Sequence, residues 1–72
     1  MTVLSDVEAA LPEEFMTPRD IRSLAGLWSA ESVRRALVQL FLVGKAERTK
    51  RVENGFSYHL YRRARLPQQR AA

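Results

Sequence analysis

Twelve of the 72 residues are lysine or arginine, and their spacing is the chemistry this chain offers. Arg34 and Arg35 are adjacent. Arg48, Lys50 and Arg51 fall close together, and Arg19 and Arg22 stand three apart. A guanidinium stays charged and presents a planar fork of donors. It meets phosphate with paired hydrogen bonds, and it meets guanine O6 and N7 in the same way. An adjacent pair such as Arg34 and Arg35 can serve both, one on a guanine edge and the other on a phosphate. Ser29, Ser32 and Gln39 flank that pair with shorter groups suited to bases or phosphates. Arg19 and Arg22 read as phosphate contacts.

The charge is unevenly spread. Residues 1–14 carry Asp6, Glu8, Glu13 and Glu14 and no cation, a net −4. Residues 15–72 carry all twelve cations against Asp20, Glu31, Glu47 and Glu53, a net +8. A one-sided positive field attracts polyanions. Other chemistries lack their parts. The chain has no cysteine, so neither disulfides nor thiolate zinc sites can form. A single histidine, His59, cannot hold a metal alone. No nucleophile–base–acid set and no phosphate-cradling glycine loop is present. The expectation is a protein that is not an enzyme, with no cofactor, no metal and no small-molecule ligand. No apolar run approaches the ~20 residues that span a bilayer. The start, Met1-Thr2-Val3-Leu4-Ser5-Asp6, has no basic segment of the kind that opens a secretory leader. A cytoplasmic location without membrane contact is expected.

The elements that must position these cations can be read from periodicity and punctuation. Residues 3–11 read as a first helix with Thr2 or Ser5 as its cap. Ser5 and Glu8 have the spacing of a capping box. Val3 or Leu4, Val7, Ala10 and Leu11 make its apolar stripe, and Pro12 ends it. Phe15-Met16 could add a short edge strand to a C-terminal hairpin. Thr17-Pro18-Arg19-Asp20 is a strong helix start, with Ile21, Leu24 and Ala25 facing inward and Gly26 as the stop. Leu27 and Trp28 make the turn, Trp28 as a plug over the core. Ser29 caps a third helix of about residues 30–43. Val33, Ala36, Leu37, Leu40 and Phe41 form its buried stripe, and Gly44 stops it. Glu31 suits the positive end of that helix better than a cytosine N4.

Residues 45–50 and 56–62 are strand-like, joined at Asn54-Gly55. A two-residue loop places Phe56 opposite Glu53 and Leu60 opposite Thr49. A three-residue loop, Glu53-Asn54-Gly55, places Phe56 opposite Val52 and brings Ala46 to the same face. The second gathers the apolar residues on one side and is preferred. Tyr58 then faces the core, Tyr61 is exposed, and His59 faces solvent. The chain divides into a domain over 1–63 and a basic, disordered tail over 64–72. Arg62, Arg63 and Arg65 extend the phosphate footprint.

Two helices crossed over a turn, with a basic hairpin after them, resemble the winged helix-turn-helix family of small bacterial and phage regulators. The resemblance rests on Ile21 with Gly26, Ser29 with Val33, the run Val33-Arg34-Arg35-Ala36-Leu37-Val38-Gln39-Leu40, Gly44-Lys45-Ala46-Glu47-Arg48, and Phe56-Ser57-Tyr58-His59-Leu60. It covers residues 17–62. It implies an α+β fold of three helices and a C-terminal hairpin wing, with the third helix in the major groove of double-stranded DNA. It also implies that Arg48, Lys50 and Arg51 on the wing touch the DNA backbone or enter the minor groove. The implied role is transcription regulation, chiefly repression, in a phage or plasmid setting. Two departures stand out. Leu27 and Trp28 lengthen the step from the glycine to the capping serine by one residue, which reorients the third helix. Arg22 stands where alanine is common, which loosens the crossing or turns Arg22 to solvent and phosphate.

Val38 and Leu42 lie four apart on the third helix, away from its buried stripe. With Leu4, or with Phe15-Met16, they suit a homodimer surface. The competing reading is a winged-helix adaptor or inhibitor that docks a protein instead of DNA. The two readings separate on whether Arg34, Arg35, Arg48, Lys50 and Arg51 share one surface or pair with Glu31, Glu47 and Glu53.

Overall fold

Each helix begins on a hydroxyl that accepts from the backbone three residues on. In the computed structural model, which describes residues 2–65, the elements are α1 (Val3–Ala10), α2 (Pro18–Ala25), α3 (Ala30–Leu42), β1 (Ala46–Glu53) and β2 (Phe56–Arg63). The fold is α+β: three helices, then a two-stranded antiparallel sheet. Thr2 Oγ1 accepts from Ser5 N at 3.1 Å, Thr17 Oγ1 from Asp20 N at 3.2 Å, and Ser29 Oγ from Ser32 N at 3.1 Å. The first cap is reciprocal, because Thr2 N donates to Ser5 Oγ at 3.2 Å. The capping box therefore joins Thr2 and Ser5, not Ser5 and Glu8. Pro18 opens α2 where a backbone N–H would go unused. Gly26 and Gly44 succeed α2 and α3 at φ 113° and 84°, a positive range that side chains disfavour.

The helices meet around Val7, Leu11, Ile21, Val33, Ala36, Leu37 and Leu40, all buried, and the hairpin adds Ala46 and Tyr61. The α3 stripe is as its spacing predicts, with Phe41 at its margin. Leu24 departs from expectation at 60% exposed. An eight-residue helix buries a narrow face, and Ile21 and Ala25 occupy it. Trp28 packs on the core as a plug, and its Nε1 donates to Asp6 Oδ2 at 2.7 Å. The extra residue in the turn thus brings the indole back to α1. Arg22 is exposed, and its Nε donates to Trp28 O at 2.7 Å, so it braces the lengthened turn.

The hairpin corrects three expectations. The loop has two residues: Glu53 pairs with Phe56, and the ladder runs unbroken to Ala46 opposite Arg63. Asn54 and Gly55 have φ 52° and 81°, the primed turn whose twist matches the strands. The outer half of the hairpin does not pack on the helices, so no core rewards the apolar register and the turn chemistry decides. Alternation then sets Ala46, Arg48 and Tyr61 on the helix side, and Arg51, Phe56, Tyr58, Leu60 and Arg62 on the other. Tyr61 is buried, not exposed, and Tyr58 is half-buried outside the core.

The short edge strand at Phe15-Met16 reduces to one bridge. Met16 N donates to Tyr61 O at 3.0 Å, and Tyr61 N to Met16 O at 2.9 Å. Strand β2 runs to Arg63, and Ala64 N donates to Lys45 O at 3.1 Å, so the chain stays tied to the hairpin one residue past the strand. The expectation for residues 66–72 lies outside the described residues. No helix among the described residues is long and apolar enough to cross a membrane.

The indole–carboxylate bond closes the helical layer. Asp6→Ala is expected to lower stability by about 1–2 kcal/mol, the range for a partly buried, charge-assisted bond. Urea melts monitored by the fluorescence of Trp28, the chain's one tryptophan, would read this. An unchanged midpoint would mean that water substitutes for the carboxylate.

Candidate nucleic-acid interface

Helix α3 carries its buried stripe on one side, so residues 31, 34, 35, 38 and 42 form the opposite crest. On the flank towards α2, Arg34 meets Arg19 and Arg22 across a cleft of about 240 Å³, completed by Pro18 and Ala30. Pro18 and Ala30 are the first residues of α2 and α3. The cleft therefore lies beside two helix N-termini, whose unpaired N–H groups and dipoles add positive potential. On the flank towards α1, Ser32, Arg35 and Gln39 line a second hollow with Val3, Leu4 and Ala36. Arg34, Arg35, Gln39, Val38 and Leu42 also border a shallow depression along the crest itself. Ser29 is committed to capping, and its Oγ also donates to Ser32 Oγ at 2.9 Å.

Glu31 sits between the two arginines of α3. Its carboxylate lies 3.9 Å from Arg34 Nη2 and 3.1 Å from Arg35 Nη2. These side chains are 61–80% exposed, and exposed helix pairs of this kind contribute only ~0.3–0.5 kcal/mol. A phosphate could displace Glu31 at little cost. The pairing was the feature expected of a protein-docking surface, and it is present at this helix. Val38 is half-buried and Leu42 is 73% exposed, so Leu42 is the main apolar residue of the crest.

The hairpin cations divide between two tasks. The Arg48 guanidinium lies over the Phe41 ring at 4.1 Å, which fixes β1 against α3. Lys50 and Arg51 are exposed on opposite faces of β1. Among the described residues no carboxylate forms a salt bridge with either. Arg62 and Arg63, expected to extend a phosphate footprint, make contacts that hold the fold. Arg62 stacks on Phe15 at 4.3 Å and bonds Glu47 Oε1 at 2.7 Å through both Nε and Nη2. Arg63 donates from Nη2 to Leu11 O at 3.0 Å and from its backbone N to Pro12 O at 2.7 Å. Arg65 is exposed, and its backbone N reaches Glu47 Oε2 at 3.4 Å. The Arg62–Glu47 pair follows from the strand register, and the Arg63 bonds from where the connector after α1 lies, neither of which the sequence supplies.

Two titrating groups feel these contacts. The Arg62 hydrogen bond, with a second from the Arg65 backbone, holds the Glu47 carboxyl below the ordinary carboxylate range. The Glu53 carboxylate, accepting from Tyr58 Oη at 2.7 Å, holds that phenol above its ordinary value. A depressed carboxyl stabilises the fold above its unfolded pKa of ~4.3, and the contribution disappears as pH falls through the lower folded value. Glu47→Gln should therefore lower the thermal midpoint at pH 7, and the gap to wild type should close towards pH 3. A gap of equal size at both pH values would show that the charge plays no part.

Set against models of known protein families, curated protein sequences and solved structures, the chain matches none of them.

Proposed function

We propose that this protein is a winged helix-turn-helix domain that binds double-stranded DNA and regulates transcription, with α3 in the major groove and the hairpin as its wing. The observation that carries this reading is the cleft where Arg19, Arg22 and Arg34 converge beside the N-termini of α2 and α3. Three guanidiniums around one hollow repel one another, and an anion relieves that repulsion. Phosphate is the anion whose repeating charge also suits Arg35, Lys50 and Arg51 elsewhere on the same chain. In this pose Arg19 and Arg22 hold the backbone and fix register. Arg34 and Arg35 stand at the entry to the groove, with Ser32 and Gln39 beside them for base edges or phosphates.

A second reading is favoured by Glu31, which neutralises Arg34 and Arg35, and by exposed Leu42. On that reading the crest of α3 docks a protein, either a partner or a second copy of this chain.

Fluorescence anisotropy on a labelled duplex across a salt series separates the two. With ~4–6 phosphate contacts, log K should fall by roughly 0.9 per contact per log unit of salt. Arg19→Ala/Arg34→Ala should weaken binding and flatten that slope by about 1.8. Absence of binding even at low salt would sink the DNA reading and favour the protein-docking one. Glu31→Gln supplies an independent check. Removing the competing carboxylate should tighten binding severalfold at low salt, by about 1 kcal/mol or less. Weaker binding would instead assign Glu31 a direct contact, such as cytosine N4.

A further inference from the structure

Past Thr49 and Leu60 the hairpin leaves the body of the protein. From residue 50 to residue 59 only Tyr58 is as much as half-buried. At a rise of ~3.3 Å per residue, the tip stands roughly 13 Å beyond Thr49. Val52 and Phe56 flank its turn and are 69% and 75% exposed. A polar hairpin end would be more soluble, so two large apolar residues there call for a partner.

The arrangement around them is specific. Phe56 shares one face with Arg51, and Val52 shares the other with Lys50. Each face of the finger thus carries one apolar group near the tip and one cation behind it. The tip carboxylate, Glu53, is drawn back along the strand by Tyr58 Oη at 2.7 Å. The ladder is continuous over all eight pairs and closes in a tight primed turn. The finger is therefore stiff enough to deliver a side chain to a fixed place.

These features match one target. A minor groove has base-pair edges at its floor, apolar base faces stacked behind them, and a phosphate strand on each wall. At ~6 Å wide it is too narrow for a two-stranded ribbon unless it is forced open. Insertion of an apolar side chain between base pairs opens it and kinks the duplex. We propose that the hairpin tip is a wedge that enters the minor groove and drives Phe56 between two base pairs, with Lys50 and Arg51 on the opposing phosphate strands. This rests on the DNA reading above. The protein then bends its DNA, and steps that unstack easily, TA and CA/TG, are the preferred points of entry.

The test reads occupancy and bending in one tube. The full chain is titrated onto a duplex of about 25 base pairs with a central TA step, labelled at both ends for energy transfer, while anisotropy reports binding. Wild type should raise the transfer efficiency as it binds. Phe56→Ala should bind within about threefold of wild type and leave the duplex straight. Phe56→Leu, which keeps an apolar wedge, should restore most of the bend. Saturated binding without a change in transfer, or an equal bend with Phe56→Ala, overturns the wedge and leaves the DNA reading standing. No anisotropy change for wild type overturns both.

Discussion

Tyr61 is held in two ways at once, and the hairpin owes its position to that. Its backbone exchanges both hydrogen bonds with Met16, and its ring is buried with Leu37, Leu40 and Ala46. The first tie places β2 against the connector between α1 and α2. The second fixes which face of the sheet meets the helices. With the strand side chains alternating, Arg48 must then fall over Phe41, and Lys50 and Arg51 must project on opposite sides. A one-residue slip would exchange the two faces and turn Tyr61 away from the core.

The cations are split by the same geometry. Those at the base of the hairpin, Arg48, Arg62 and Arg63, are spent on aromatic rings, Glu47 and the carbonyl of Leu11. Guanidiniums suit this work because they stack and bridge at once. A chain with so few buried side chains gains from such ties, since its core alone is marginal. Arg19, Arg22, Arg34, Arg35, Lys50 and Arg51, all exposed, lie on α2, α3 and the outer hairpin. Net charge alone does not separate these two groups. Position along the strand does.

What was legible in the sequence was mostly local. Thr17-Pro18, Ser29, Gly26 and Gly44 mark helix boundaries through interactions within one turn, and these boundaries are where their residue types require. The α3 stripe was legible because four buried residues repeat at helical spacing. The sheet register was not. It turned on whether Asn54-Gly55 or the apolar pattern would dominate, and that depends on how far the hairpin extends beyond the helices, which is a tertiary fact. Leu24 was misjudged because one helical turn allows several inward positions and only the packing partner selects among them. Of the candidate site, the helix arginines were identifiable by type and spacing. The Arg19–Arg22–Arg34 cleft was not, because it depends on how α2 and α3 cross. Nor were the structural roles of Arg62 and Arg63, which depend on the strand register and on where the connector after α1 lies.

The bond from Arg63 to Leu11 reaches across 52 residues of chain, whereas the hairpin and each helix close over short distances. Closing a long loop forgoes more chain entropy than closing a short one, and the loss must be met before the contact stabilises anything. In folding time, the joining of the 12–16 connector to β2 therefore belongs to the last steps. On a ribosome, where synthesis runs from the N-terminus, the three helices emerge before the strand that completes their core. Until Tyr61 arrives, Leu37 and Leu40 lack the cover that its ring gives them.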